Sequence, residues 1–137
     1  MKRVIPSLLA AALLTAPLAA QAPESAMRYS RQMAALTEIQ RYAAIRRAIQ
    51  DNGLWCPRVT SAAFQQPIKN LAMWVARCDA VTPPKKTLAG TTPKSSETYG
   101  LFIGPDGTAQ AGQCSEITKV KWPACRRLPA PPAVKKG

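Results

Sequence analysis

No histidine occurs anywhere in the chain. Its absence removes Ser-His-Asp and Cys-His catalysis, His-ligated metal sites and the usual general base near neutral pH. Carboxylates are scarce as well: seven Asp and Glu stand against 19 Lys and Arg. Glu24, Glu38, Asp51, Asp79, Glu97, Asp106 and Glu116 show no spacing that would pair two of them for acid–base work. Ser115 and Lys119 stand four apart, which is not the Ser-x-x-Lys of lysine-assisted nucleophiles. No Cys-x-x-Cys is present, which argues against a thioredoxin-like site. The cysteines also lack the close pairs of a zinc knuckle. Met27, Met33 and Met73 are too dispersed for a copper-binding cluster. The residue inventory therefore argues against an enzyme and against a resident metal or cofactor.

Long apolar runs are also missing, apart from one at the start. Lys2 and Arg3 precede the run Leu8-Leu9-Ala10-Ala11-Ala12-Leu13-Leu14, and Ala19-Ala20-Gln21-Ala22 closes it with small residues. Charged start, short apolar stretch and small-residue end are the pattern of a secretory signal peptide. The stretch is shorter than the ~20 apolar residues a membrane span needs. Cleavage is expected after Ala20, with Ala22 as the second choice, where Pro23 would follow the scissile bond and hinder it. No cysteine follows closely enough to accept a lipid, since the first is Cys56. The expected product is a periplasmic or secreted chain with no transmembrane segment.

Removing residues 1–20 leaves about 115 residues, enough for one small domain. The mature chain keeps 17 basic residues against 7 acidic, a net of +10. That balance favours an acidic protein or an anionic envelope surface as partner. Solubility and composition bias explain the charge somewhat better. No segment resembles a nucleic-acid-binding motif, and export makes nucleic acid an unexpected partner.

Four cysteines in an exported chain of this size read as two disulfides. Cys56–Cys78 and Cys114–Cys125 are the expected pairs. An antiparallel pairing of 57–62 with 71–78, centred near Pro67, would set Cys56 opposite Cys78. The second bridge would tie the last strand to the segment after it. Each closed loop is worth roughly 3 kcal/mol.

Residues 23–36 read as a loose arm. A helix is expected from Thr37, where Thr37-Glu38-Ile39-Gln40 forms a capping box, to about Asp51, where Asn52-Gly53 provides the stop. Ile39, Tyr42, Ile45 and Ile49 form its apolar stripe. Residues 57–62 and 71–78 are strand candidates, with Phe64-Gln65-Gln66-Pro67 as an irregular turn between them. Residues 80–98 are polar and read as a mobile loop. Tyr99 to Ile103, the turn Gly104-Pro105-Asp106-Gly107 and residues 108–114 form a hairpin, with Tyr99, Leu101 and Ile103 facing one way and Phe102 the other. Ser115 to Trp122 can form a helical turn, and residues 126–137 are a basic, Pro-rich tail expected to be disordered. The expected fold is α+β: one N-terminal amphipathic helix on an antiparallel sheet of three to four strands, with the domain spanning 37–125.

If Met73, Val75, Leu101 and Ile103 face the helix, Trp74 and Phe102 occupy the opposite sheet face. Two arrangements answer to that. Ile117, Val120 and Trp122 fold back over them, which the cost of an exposed apolar patch favours. Otherwise they form an apolar centre ringed by Arg58, Arg77, Lys119 and Lys121, which suits a binding surface.

The helix followed by strands that end in Tyr99 and Pro105-Asp106-Gly107-Thr108 resembles small periplasmic α-β-β-β domains of the PepSY-like group, over Thr37 to about Cys114. The resemblance implies a binding or inhibitory envelope module and transfers no functional residue. The functional expectation is a non-enzymatic binding module with Trp74 and Phe102 at its centre. A basic protein held on anionic lipid or lipopolysaccharide, and an inhibitor of an acidic envelope enzyme, are the alternatives. Intact mass of the exported protein under denaturing alkylation is expected to show a chain starting at Gln21 with no free thiol; any alkylated cysteine, or a retained Met1, would overturn this reading.

Overall fold

A computed structural model describes residues 22–82, 85 and 93–129. The expected signal segment 1–20, much of the 80–98 loop and the tail beyond 129 lie outside the described residues. The class is α+β, with a four-stranded antiparallel sheet and both expected disulfides. Strands β1 (Arg58–Ile68), β2 (Leu71–Asp79), β3 (Ser96–Ile103) and β4 (Ala109–Gln113) pair in sequence order as a meander.

Strands β2 and β3 run in unbroken register from Ala72 opposite Ile103 to Asp79 opposite Ser96. They are the inner strands, and both faces of the sheet are covered over them. Hence Ala72 through Ala76 are all buried, rather than alternating as a half-solvated strand would. Ala80 donates its N–H to the Ser95 carbonyl at 2.9 Å, so the ladder continues one step into the stretch expected to be a mobile loop, and residues 96–98 are strand.

Strand β1 differs from expectation. It runs without interruption through Phe64-Gln65-Gln66-Pro67, and the turn comes later, at Lys69-Asn70, where Lys69 takes a φ of 51°. Two register shifts, at Val59/Ser61 and Phe64/Gln66, accommodate the irregular sequence as bulges. Pro67 is tolerated because β1 is an edge strand, where a missing N–H leaves no ladder bond unmade. The Cys56–Cys78 pair forms as expected, with Cα atoms 5.2 Å apart, although the hairpin centre sits beyond Pro67.

Two helices, α1 (Ala22–Ala35) and α2 (Glu38–Asp51), pack on one face of this sheet. The loose arm expected over 23–36 is instead the 14-residue α1. Its buried positions are Ala26 and Ser30, with Met27, Tyr29 and Met33 packed at the core margin. The buried centre of that stripe is small and polar. Trp74 explains Ser30: its indole N–H donates to Ser30 Oγ at 2.9 Å, both groups being buried. Helix α2 has the expected capping box, with Gln40 N–H donating to Thr37 Oγ1 and Thr37 N–H donating to Gln40 Oε1. It ends at Asn52-Gly53, where Gly53 has a φ of 74°. Ile45 and Ile49 are buried against Tyr99, Leu101 and Ile103, while Tyr42 lies at the margin. Ile39 is the exception: it is 83% exposed, because α1 and the sheet meet α2 on a face that Ile39 does not share.

The β3–β4 turn is built as its sequence indicates. Gly104 N–H donates to the Thr108 carbonyl at 2.8 Å, and Gly107 takes a φ of 84°. Thr108 donates from its hydroxyl and from its N–H to Asp106 Oδ1, and this holds the Asp106 carboxyl below its ordinary pKa. A Cβ on Gly107 would lie 2.9 Å from the Tyr29 ring, so the turn also depends on the close approach of α1.

Replacing Ser30 by alanine leaves a buried indole N–H without an acceptor, which costs about 1–3 kcal/mol. Urea unfolding is expected to show that loss. The same Ser30→Ala change in a Trp74→Phe background should cost clearly less; an equal cost in both backgrounds would show that the hydroxyl–indole bond is not the cause.

Candidate binding surface

The sheet face opposite the helices carries Met73 and Val75 from β2 and Phe102 from β3. Residues facing each other across strands share a face, so the register alone settles the arrangement: Met73 lies opposite Phe102, and Trp74 opposite Leu101. This corrects the expectation that placed Trp74 beside Phe102. Trp74 is on the helix side, 2% exposed, with the Phe64 ring edge-on at 6.1 Å. It is a core residue and does not belong to the outer surface.

Phe102 does lie on the second face, and it is covered. After β4 the chain turns through the short helix α3 (Cys114–Ile117) and the 3₁₀ turn Thr118–Val120 and returns across the sheet. Ile117 enters a socket made by two glycines paired across β3 and β4, Gly100 and Gly112. A Cβ on Gly100 would come within 2.5 Å of Ile117 Cδ1, so a side chain there would have to displace the tip of Ile117. Trp122 meets Phe102 edge-on, with centroids 4.3 Å apart. Phe102 is left 6% exposed. Val120 takes no part in the cover and is 63% exposed.

Three devices hold this cover. The Cys114–Cys125 bridge joins its two ends, with Cα atoms 5.7 Å apart. Gln65, the residue bulged out of β1, is buried and clamps the returning chain: its Nε2 donates to the Ala124 carbonyl at 2.9 Å, and its Oε1 accepts the Arg126 N–H at 2.8 Å. Leu128 packs against Met73, Val75 and Phe102 together with both cysteines. Residues 126–129, expected in the disordered tail, are therefore part of the domain's second layer.

Basic side chains surround this layer. Arg77 on β2 directs its Nε to the Asp79 carboxylate at 3.1 and 3.2 Å, and Asp79 also accepts from the Thr60 hydroxyl. Arg58 lies directly across the strands from Asp79. Arg77, Thr98, Arg126, Arg127, Leu128 and the Cys114–Cys125 bridge line a cleft of about 290 Å³. At the β1–β2 turn a second hollow of about 270 Å³ lies among Ile68, Lys69, Leu71, Val120, Lys121 and Trp122. Lys121 takes a left-handed φ of 59° and is exposed there. Lys119 is paired with Glu116 at 2.8 Å on the surface, so its charge is partly compensated. Arg58, Arg127, Lys69 and Lys121 make no ion pair among the described residues.

Of the expected site residues, Phe102 and Arg77 lie on this sheet face, Arg58 and Lys121 stand at opposite ends of β1, Lys119 is paired with Glu116 at the surface, and Trp74 is on the helix side. Arg126, Arg127 and Gln65 were missed. The signal for the arginines was their adjacency to Cys125, since a disulfide fixes its neighbours. Isolated glycines within strands, Gly100 and Gly112, signalled a close approach. On the helix side a further hollow of about 300 Å³ is lined by Tyr29, Gln32, Met33, Leu36, Ala44 and Ile103, among others, and gathers no charged group. Among the described residues no group of three metal-capable side chains comes together, and no helix is long and apolar enough to cross a membrane.

No protein-family model matches the chain, and neither a curated protein nor a solved structure shows significant similarity to it.

Reducing the Cys114–Cys125 bridge, or replacing both cysteines by serine, is expected to cost about 3 kcal/mol. It should also free the cover, seen as faster tryptic cleavage after Lys119, Lys121 and Arg127 while Cys56–Cys78 stays closed. Unchanged cleavage rates would mean that Gln65 and the apolar contacts hold the layer alone.

Proposed function

We propose that this chain is an exported, non-enzymatic binding module that engages an anionic partner through its disulfide-held second layer. The observation that carries the reading is the set of basic side chains on and around that layer: among the described residues Arg58, Arg126, Arg127, Lys69 and Lys121 form no ion pair, and the segment bearing most of them is pinned by a disulfide and a buried glutamine. Charge held on a rigid frame loses little side-chain and backbone freedom on binding. The lack of histidine and the scatter of the carboxylates support a role in recognition rather than catalysis. Export is supported by the N-terminal signal pattern and the two disulfides.

The first reading of the partner is an acidic protein surface. A second is an anionic membrane, favoured by one observation: exposed Val120 and Trp122, the latter 37% exposed, lie beside Lys69 and Lys121 at the β1–β2 end. Aromatic and basic side chains together suit a lipid–water interface.

Binding of the mature protein to a polyglutamate probe, to vesicles containing phosphatidylglycerol and to purely zwitterionic vesicles, followed over a salt series, tests the reading. Binding to the anionic probes is expected to fall steeply as the screening length shrinks to ~3 Å at 1 M salt. Charge reversal in the Arg127→Glu/Lys121→Glu pair, both exposed and outside the sheet ladder, should weaken it without changing the melting temperature. Trp122→Ala should weaken the vesicle arm only if the membrane is the partner. Equal binding to charged and neutral probes at every salt concentration would sink the proposal.

A further inference from the structure

The geometry points to a phosphomonoester site in the cleft between Arg77, Arg126 and Arg127, a proposal that rests on the anionic-partner reading and narrows it. The argument starts from how each guanidinium is placed. Arg77 stands on an inner strand, and Asp79 engages its Nε edge, which fixes the plane of the fork. Arg126 and Arg127 are bracketed by anchors on both sides. Cys125 is bonded to Cys114 before them, Leu128 is packed on Met73, Val75 and Phe102 after them, and the Arg126 N–H is held by Gln65 Oε1. Two consecutive arginines in a free tail would point at random. Here the backbone beneath them is fixed, and both line the same cleft as Arg77.

The charge of the cleft selects the ligand. Three arginines and the single paired carboxylate of Asp79 leave a net of two positive charges. A phosphomonoester near neutral pH carries about −1.5 to −2, together with three strong acceptor oxygens. A lone carboxylate would neutralise half of the site and offer two acceptors. Guanidinium forks match phosphate oxygens in pairs, which lysines cannot do. The cleft is open and its volume exceeds what a phosphate group needs, so the ester's alcohol portion can remain in it or extend outward. The alcohol portion can belong to a soluble metabolite or to a phosphorylated head group at the envelope surface; the phosphate chemistry is common to both.

Titration calorimetry at constant ionic strength tests the site, with glycerol 3-phosphate as probe and acetate and glycerol as controls. Saturable binding of glycerol 3-phosphate alone is expected. Arg126→Gln and Arg127→Gln, both exposed positions that should not affect folding, are each expected to weaken it by roughly tenfold, the size of a lost charge-assisted hydrogen bond. Arg47→Gln, exposed on α2 on the helix side of the sheet, should leave it unchanged. Vesicles containing phosphatidic acid, a monoester, are compared with vesicles of phosphatidylglycerol, a diester, at equal surface charge. A preference for the former identifies a membrane head group as the source, and soluble binding without that preference identifies a soluble ester. The site proposal is overturned if acetate binds as well as the phosphate ester, or if the arginine variants bind like the parent. Salt-sensitive binding to polyglutamate would in that case leave the broader reading standing, whereas its absence too would remove both.

Discussion

Two inner strands with apolar side chains on both faces must be covered twice, and the rest of the structure depends on that requirement. β2 buries Ala72, Trp74, Ala76 and Cys78 on one side and Met73 and Val75 on the other. On the first side two helices provide ample area, with Ile45 and Ile49 at the centre of the contact. On the second side, among the described residues, the cover is the short stretch from Cys114 to Leu128. A segment of that length, with one turn of α-helix and one of 3₁₀, cannot hold itself in place, because its ordering entropy exceeds what a few apolar contacts return. The Cys114–Cys125 bridge limits the freedom it has to lose, and Gln65 supplies the hydrogen bonds that a further strand would have made.

The same economy shapes the edge of the sheet. β1 carries two bulges and Pro67, features that weaken pairing with a further strand. The bulge at Gln65 at the same time turns a long polar side chain toward the returning segment. A local defect in the ladder therefore becomes the attachment point of the second layer. Glycine plays the complementary part on β3 and β4, where Gly100 and Gly112 lower the surface so that Ile117 can enter. The functional proposals follow from this arrangement, since arginines on a pinned segment lose less entropy on meeting an anion than arginines on a free tail.

Much of this was legible in the residues. The capping box at Thr37, the stop at Gly53, the hairpin at Pro105-Asp106-Gly107 and the pairing of the four cysteines each follow from local chemistry acting over a few residues, or from the small number of ways four thiols can pair. What escaped has a common cause. Helix α1 is amphipathic and was passed over as a polar, mixed stretch; its place on the sheet is decided by Ala26 and Ser30, small residues whose burial depends on what lies opposite. β1 was cut short at Ala62 because Phe64-Gln65-Gln66-Pro67 has turn composition, and its edge position makes that composition acceptable in a strand. Trp74 was set on the wrong face because Met73 and Val75 were grouped with Leu101 and Ile103, whereas the register sets Met73 opposite Phe102, and a change of one residue exchanges the faces of a strand.

The sequence by itself determined the frame: a strongly basic chain without histidine, an α+β domain with two disulfides, and the start and stop of α2. These depend on composition or on contacts a few residues apart. Tertiary structure alone decided which aromatics are core, that Ser30 answers Trp74 across 44 residues, that Gln65 clamps a segment about 60 residues away, and that Arg77, Arg126 and Arg127 share one cleft. Those outcomes rest on strand register and on which surfaces are left to cover, and both are properties of the assembled sheet rather than of any stretch of chain.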